Sequence, residues 1–290
     1  MTTERTSRLA VEADANLAGD AGSANGSAES HELAATDLSC GYHGKPVLEH
    51  VSLKVSSGEI VCLLGPNGVG KTTLFKTLLG FLPPIAGSIS VDGEPCAELN
   101  RRAFAQKVAY VPQNHEPPFP FSVLDIVLTG CASRLGVFDS PRKADRARAE
   151  EVLDELGIAH LRDRSYTEIS GGEQQMALIG RSLMQDSSIL MMDEPTAALD
   201  FGNQVAVLTC IRRMAARGHG VIMTTHNPDH AFLCGSKAVL ITRDGEVMTG
   251  AVDDIVTEAN LGRAYGIRVR LTEAEDDDGR PIKTCVPLLE

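Results

Sequence analysis

Positive charge is what this sequence is short of. It has 27 Lys and Arg against 39 Asp and Glu, a formal net charge of -12. That balance argues against a nucleic-acid partner held on a basic surface. The acidity is gathered at the ends: residues 1–32 and residues 271–290 each hold six acids against two bases, so each end carries -4 and the middle the remaining -4. Paired cysteines are missing too. Cys40, Cys62, Cys96, Cys131, Cys210, Cys234 and Cys285 are scattered with no C-x-x-C pair. This speaks against a thiolate metal site or a disulfide framework and fits a reducing compartment. No apolar run approaches the roughly 20 residues of a membrane span, and the N-terminus lacks the apolar core of a secretory signal. The expectation is a cytosolic chain whose membrane association would come through a partner.

What is present is an ordinary globular composition, 43% hydrophobic and 23% charged over 290 residues, enough for a large core and one or two domains. Residues 1–32 are rich in Ala, Ser, Gly and acids. They cannot bury enough surface to offset their ordering entropy and are expected to be disordered, the alternative being a partner-docking arm. From Leu33 the pattern changes. Leu33–Cys40, Val47–Val55 and Gly87–Val91 read as short strands around the apolar run Ile60–Leu64, which predicts an antiparallel sheet laid against an α/β core. Val108–Val111 is a core strand. Between Pro112 and Ser187 only helical patterns follow, at Val123–Leu128, Ala144–Leu156 and Glu173–Met184. A helical insertion of that length predicts a separate subdomain over about 114–186. The α/β pattern resumes at Ser188–Glu194 and runs through the helix Phe201–Arg213, the strand Gly220–Thr224 and a hairpin at Arg243-Asp244-Gly245. Val252–Tyr265 reads as one or two helices. In residues 266–290 the pattern predicts a small hairpin of Ile267–Leu271 with Ile282–Leu288.

The chemistry starts at Gly65-Pro66-Asn67-Gly68-Val69-Gly70-Lys71-Thr72-Thr73. The stretch lies between an apolar strand and a predicted helix, the context in which G-x-x-x-x-G-K-[ST] binds phosphate. Glycines let successive N–H groups turn inward on an anion, and the new helix adds its positive end. Lys71 would reach the β- and γ-phosphates, and the Thr72 hydroxyl would take a Mg²⁺ position. Taken alone, the loop fits a kinase, a GTPase or a motor equally well. The apolar strand ending in Asp193-Glu194 supplies its partner: Asp193 to reach the Mg²⁺ shell, Glu194 to polarise a water for attack on the γ-phosphorus. Ser170-Gly171-Gly172-Glu173 opens a predicted helix. Such a Ser-Gly-Gly would serve as an N-cap and turn or, through exposed N–H groups, as a second anion site.

Together, Gly65–Thr72, Gln113, Ser170–Glu173, Ile189–Glu194, Ala198-Leu199-Asp200 and His226 occur in the order and spacing of an ATP-binding cassette (ABC) ATPase, and residues 33–265 resemble that family. The Ser-Gly-Gly between the two Walker motifs is the discriminating feature. The resemblance implies a P-loop ATPase core with an antiparallel β-subdomain and an inserted α-helical subdomain, using ATP and Mg²⁺. Tyr42 would stack on adenine. Gln113 would contact Mg²⁺ and water and sense the membrane partner. Ser170 and Gly172 would bind the γ-phosphate of ATP held by a second copy, Asp200 would cross that dimer interface, and His226 would contact the γ-phosphate and the catalytic carboxylate. Two chains would sandwich two ATP molecules head to tail. Ile169 stands where Leu is usual, Glu173 where Gln is commoner, and Met176 where many members have Arg; none of these removes a catalytic group.

The segment Gln113–Leu135 lies where the family docks its permease dimer, and a solute-binding protein would be an indirect partner. Phe119-Pro120-Phe121-Ser122-Val123-Leu124-Asp125-Ile126-Val127-Leu128-Thr129-Gly130, Asp200-Phe201-Gly202-Asn203-Gln204 and His226-Asn227-Pro228-Asp229-His230 resemble importers for iron–siderophore, haem and cobalamin. Zinc/manganese and molybdate importers are the alternative. The place implied is the cytoplasmic face of the cell membrane. A soluble ABC protein is the reading from another class, but those of the translation type carry two cassettes and those of DNA repair a long coiled coil. Here there is one phosphate loop, one signature and no sustained heptad pattern. Removing residues 1–32 is expected to leave ATPase activity and folding nearly unchanged; a clear loss in steady-state rate or unfolding midpoint means the arm is structural.

Overall fold

Ile60–Leu64 is buried along its whole length, because it has a layer against each face. Ile60, Cys62 and Leu64 join one core and Val61 and Leu63 the other, the alternation that a strand's period of two produces. A computed structural model describes residues 30–289 apart from 114, 116, 118, 137 and 138. The disorder expected for residues 1–29 lies outside the described residues. His31 and Glu32, expected to belong to that arm, are part of the folded unit: the His31 N–H donates to the Ser57 hydroxyl and Glu32 pairs with Ser56. A truncation that spares β1 therefore ends before His31.

In chain order, β1 (Glu32–Tyr42) and β2 (Lys45–Ser56) form a hairpin. His43 and Gly44 both take positive φ, 52° and 75°, the primed turn that matches strand twist. β3 (Ile60–Leu64) leads through the glycine loop into α1 (Lys71–Leu78). β4 (Ala86–Val91), β5 (Glu94–Pro95), α2 (Arg101–Lys107) and β6 (Val108–Val111) follow. Then come α3 (Val123–Leu128), α4 (Lys143–Glu155) and α5 (Gly171–Met184). β7 (Ile189–Met192), α6 (Phe201–Ala216), β8 (Gly220–Thr224), α7 (Asp229–Cys234), β9 (Lys237–Ile241) and β10 (Val247–Ala251) return to the sheet. α8 (Val252–Ile255), α9 (Glu258–Tyr265), β11 (Val269–Glu275) and β12 (Pro281–Pro287) complete the chain.

The larger sheet has the order β10-β9-β3-β8-β7-β6, parallel except for β10 at one edge. The smaller has the order β2-β1-β4-β5 and is antiparallel throughout. α1 packs between them, with Leu74, Phe75 and Leu78 in the core that also holds Leu33, Leu38 and Val51. The other face of the parallel sheet packs on helices. Among the described residues from Pro112 to Ser188 there is no strand, only an isolated bridge between Ser122 and Ser165. α3, α4 and α5 bury Val123, Ile126, Val152, Leu153 and Ile179 together.

Two elements escape the sequence pattern. α2 buries no residue, so it has no apolar stripe to read; only Asn100, which accepts from the Ala103 N–H, marks its start. β5 is two residues long and borrows its register from β4. The span Val252–Tyr265 resolves into two helices, and Thr257 caps the second by accepting from the Asn260 N–H.

The helical layers approach closely at Gly130. A Cβ there would lie 2.0 Å from the Arg181 carbonyl oxygen and 2.8 Å from Met184 Cβ. Backbone cannot give way as a side-chain tip does. Gly130→Ala is therefore expected to destabilise the chain by about 1–3 kcal/mol, read as a lower urea midpoint; an unchanged midpoint contradicts the contact.

Candidate functional site

The parallel strands β3, β7 and β8 end at one edge of the sheet, and the loops that leave them build the site. Open α/β sheets bind ligands at the carboxyl ends of their strands, where neighbouring connections diverge. After β3 the chain turns through Gly65, Gly68 and Gly70, with φ of 147°, 84° and 108°, values open to glycine and costly for other residues. Gly65 is fixed a second way: a Cβ would lie 2.6 Å from the Ile241 carbonyl oxygen. α1 then begins at Lys71.

Lys71 is buried, and its ammonium donates to the carbonyl oxygens of Gly65 and Pro66, the latter at 2.9 Å. Burial lowers its pKa, while Glu194 and Asp193 oppose that shift. A cavity of about 330 Å³ opens over the loop. Its walls are Asn67, Gly68 and Gly70–Thr73, with Tyr42 and Val47 on one side and Glu194 on the other. Tyr42, at the end of β1, keeps 44% of its surface exposed, so its ring is available to a ligand.

β7 is buried throughout and stops at Asp193, whose N–H donates to the Val111 carbonyl at 2.9 Å. Glu194 turns sharply, with φ of 44°, unusual for a residue with a Cβ. Its N–H donates to Thr224 Oγ1 at 2.7 Å, and that hydroxyl donates to Asp193 Oδ1 at 2.7 Å. At the other end of Glu194, Oε2 accepts from Gln113 Nε2 at 3.4 Å and faces His226 Nδ1 at 3.5 Å. The structure thus brings Tyr42, the phosphate loop, Gln113, Asp193, Glu194 and His226 together.

Ser170, Gly171, Gly172, Glu173 and Asp200 are not in the cavity wall. They gather elsewhere, as two helix caps side by side. Ser170 caps α5: its hydroxyl donates to Glu173 Oε2 at 2.7 Å, and the same oxygen accepts the Ser170 N–H at 2.7 Å, a reciprocal capping box. Asp200 caps α6, taking the Asn203 N–H at 2.8 Å and its side-chain amide at 2.9 Å. A Cβ on Gly172 would lie 2.3 Å from Asn203 Cγ, so the two caps are in contact. Met176 packs against the core, and Ile169 is buried within it.

Four residues around the site, Thr224, Thr225, His230 and Tyr265, are given no individual role by the sequence reading. Thr224 joins Asp193 to Glu194. Thr225 Oγ1 accepts the Asn227 N–H at 3.1 Å and lies 2.8 Å from His230 Nδ1. That nitrogen is also 3.4 Å from Thr196 Oγ1, so His230 ties the loop after β7 to the loop after β8. The Tyr265 hydroxyl donates to the His226 carbonyl at 3.2 Å, and burial pushes its pKa up to about 12. The run Thr224-Thr225 at the end of an apolar strand was the available signal: hydroxyls buried there need partners.

Comparison with known proteins adds an independent line. A sequence profile described as ABC transporter matches residues 48–197. The zinc transport system ATP-binding protein TroB of Treponema pallidum is 36% identical over 85% of this chain and 91% of that protein. The hemin import ATP-binding protein HmuV of Hahella chejuensis is 35% identical over 79% of this chain and 90% of that protein. A solved structure described as an inward-facing, metal-chelate type ABC transporter superposes with a TM-score of 0.80 at 31% identity, covering 90% of this chain and 98% of that one.

His230 makes the site's support sensitive to pH. Burial lowers its pKa below the ordinary value, with the charge of His226 adding in the same sense. The folded chain therefore holds His230 neutral where the unfolded chain takes up a proton. Its contribution is fully present above about pH 6.5 and is lost as pH falls toward the depressed folded value. The unfolding midpoint is expected to drop between about pH 7.5 and 5.5, less steeply in His230→Gln than in the parent; identical slopes contradict the assignment.

Proposed function

As the chain belongs to the ABC transporter family, and is the ATP-hydrolysing subunit of an importer, we propose that it energises uptake of an iron–siderophore, haem or cobalamin. We place hydrolysis at Glu194, in a site completed by a second copy of the chain. The observation that carries the catalytic reading is the convergence of Gln113 and His226 on Oε2 of Glu194 at the wall of the cavity.

The chemistry then follows from position. The phosphates lie on the N–H groups of the Gly65–Thr73 loop, Pro66 having none, at the start of α1 and draw Lys71 away from the Gly65 and Pro66 carbonyls. Adenine stacks on Tyr42. The oxygen donors of Thr72, Gln113 and Asp193 suit Mg²⁺, a hard cation that keeps much of its shell as phosphate and water. When bound, Mg²⁺ neutralises phosphate charge. Glu194 takes a proton from the attacking water while Gln113 and His226 orient it and face the γ-phosphate.

The missing half of the site accounts for Ser170–Glu173. The N-terminus of α5 offers free N–H groups and the positive end of a helix of 14 residues. In a head-to-tail dimer it faces the γ-phosphate across the interface. The Ser170 hydroxyl then exchanges the Glu173 carboxylate for phosphate oxygen, and Asp200 crosses beside it. ATP closes the dimer and hydrolysis opens it.

The permease dimer docks at Gln113–Leu135. Phe119 and Phe121 stand exposed there with their rings edge to face, 6.0 Å apart, an apolar pair fit for a partner helix. No helix among the described residues is long and apolar enough to cross a membrane. In this reading the permease attaches the chain at the cytoplasmic face and links it to the solute-binding protein. The hemin-import relative and the metal-chelate type structure support the iron-chelate cargo. The second reading is a zinc/manganese or molybdate importer, within which the zinc-system relative supports zinc. Stimulation of ATPase activity by each solute in the reconstituted transporter separates them.

Glu194→Gln is expected to keep ATP binding, reduce turnover by a factor of at least about 100 and trap an ATP-bound dimer on size-exclusion chromatography. A variant that turns over near the parent rate refutes the role of Glu194.

A further inference from the structure

Thr224 belongs to no motif, yet it occupies the junction of the site. It pairs in parallel register with Leu63, two residues before the phosphate loop, and lies one residue beyond the Met192–Met223 pair of β7 and β8. It therefore stands between the strand that enters the loop and the strand that ends in Asp193-Glu194. It is 1% exposed, so water does not satisfy its hydroxyl. The two partners of that hydroxyl are fixed in sense. An amide N–H only donates, so Oγ1 accepts from Glu194 at 2.7 Å; its own proton then goes to Asp193 Oδ1, also at 2.7 Å.

This single hydroxyl meets two needs that arise at adjacent residues. Asp193 has a carboxylate that must point at the metal and not rotate. Glu194 has a backbone held at φ of 44°, a conformation that surrounding contacts must enforce. Fixing the Glu194 amide fixes the direction in which its side chain leaves the sheet, toward Gln113 and His226. Thr224 itself is not in the cavity wall, so it acts through these neighbours and not on the nucleotide.

Resting on the reading of Asp193 and Glu194 given above, we propose that Thr224 is a positioning residue for ATP hydrolysis, coupling the orientation of the metal-facing carboxylate to the backbone turn that aims the catalytic one. Loss of the hydroxyl frees the Asp193 carboxylate to rotate and takes from the partly buried Glu194 N–H its side-chain acceptor. The phosphate loop keeps its own contacts, so nucleotide affinity is retained while turnover falls.

The test uses the full-length protein and compares Thr224→Val, Thr224→Ser and Glu194→Gln. Thr224→Val is expected to lower kcat about tenfold to a hundredfold, the loss of a charge-assisted hydrogen bond at the reacting centre. It should keep KM for ATP within about threefold, raise the Mg²⁺ concentration for half-maximal rate, and speed hydrogen exchange at the Glu194 amide. Thr224→Ser restores the hydroxyl and should restore all of these. If the valine variant does not fold, Thr224→Ala carries the same comparison. The proposal is overturned if Thr224→Val turns over within about twofold of the parent while Glu194→Gln is inactive, or if Thr224→Ser is as impaired as Thr224→Val. Turnover by Glu194→Gln overturns the underlying reading instead, and the proposal with it.

Discussion

The parallel register of β3, β8 and β7 is the constraint on which the rest depends. Leu63 lies opposite Thr224, and Met192 lies opposite Met223. Three chain segments, far apart in sequence, are thereby cut off at the same height. The residues that follow them have no ladder left to join, so the phosphate loop, Asp193-Glu194 and Thr225-His226 emerge side by side. A slip of one residue in β7 would turn Asp193 to the other face of the sheet. Burial of both faces of β7 makes such a slip costly, because Leu190 and Met192 have their places in one core and Ile189 and Met191 in the other.

That geometry sets an electrostatic problem which the chain resolves with its own backbone. Lys71 is a buried cation, held by two carbonyl oxygens and drawn toward Asp193 and Glu194. Phosphate groups would offer it stronger partners than neutral carbonyls do. The two carboxylates are kept apart by different devices, Asp193 by the Thr224 hydroxyl and Glu194 by Gln113 and His226. Further out, His230 links Thr196 to Thr225, and Asp229 accepts the Cys285 N–H of β12. The loop that carries His226 is thus braced from the sheet, from the loop after β7 and from the C-terminal hairpin.

The helical layers serve a different end. α5 and α6 begin next to each other, and their caps are built from Ser170 with Glu173 and from Asp200 with Asn203. Ser170 and Asp200 are fully engaged within this chain. Their hydrogen bonds are exposed, whereas those of Thr224 are partly buried.

Much of this was legible in the residues. The glycine loop declares itself because a tight anion-binding turn needs residues without a Cβ at fixed spacing, and Asp193-Glu194 declares itself because an apolar strand ends in two charges. The order of motifs carried the family resemblance, and apolar periodicity marked the strands of the parallel sheet and the helices between Pro112 and Ser187. α2 was illegible because it buries nothing, and Glu32 because one polar residue at a strand end leaves no period. Sequence alone determined what each motif can do, since local spacing controls backbone conformation and side-chain chemistry. Only the tertiary structure decided which of them meet. It put Gln113 and His226 on the same oxygen of Glu194, placed Ser170–Glu173 away from the cavity, and gave Thr224 its two partners. Those meetings depend on strand register, which is settled by packing over the whole sheet and is not written in any one stretch.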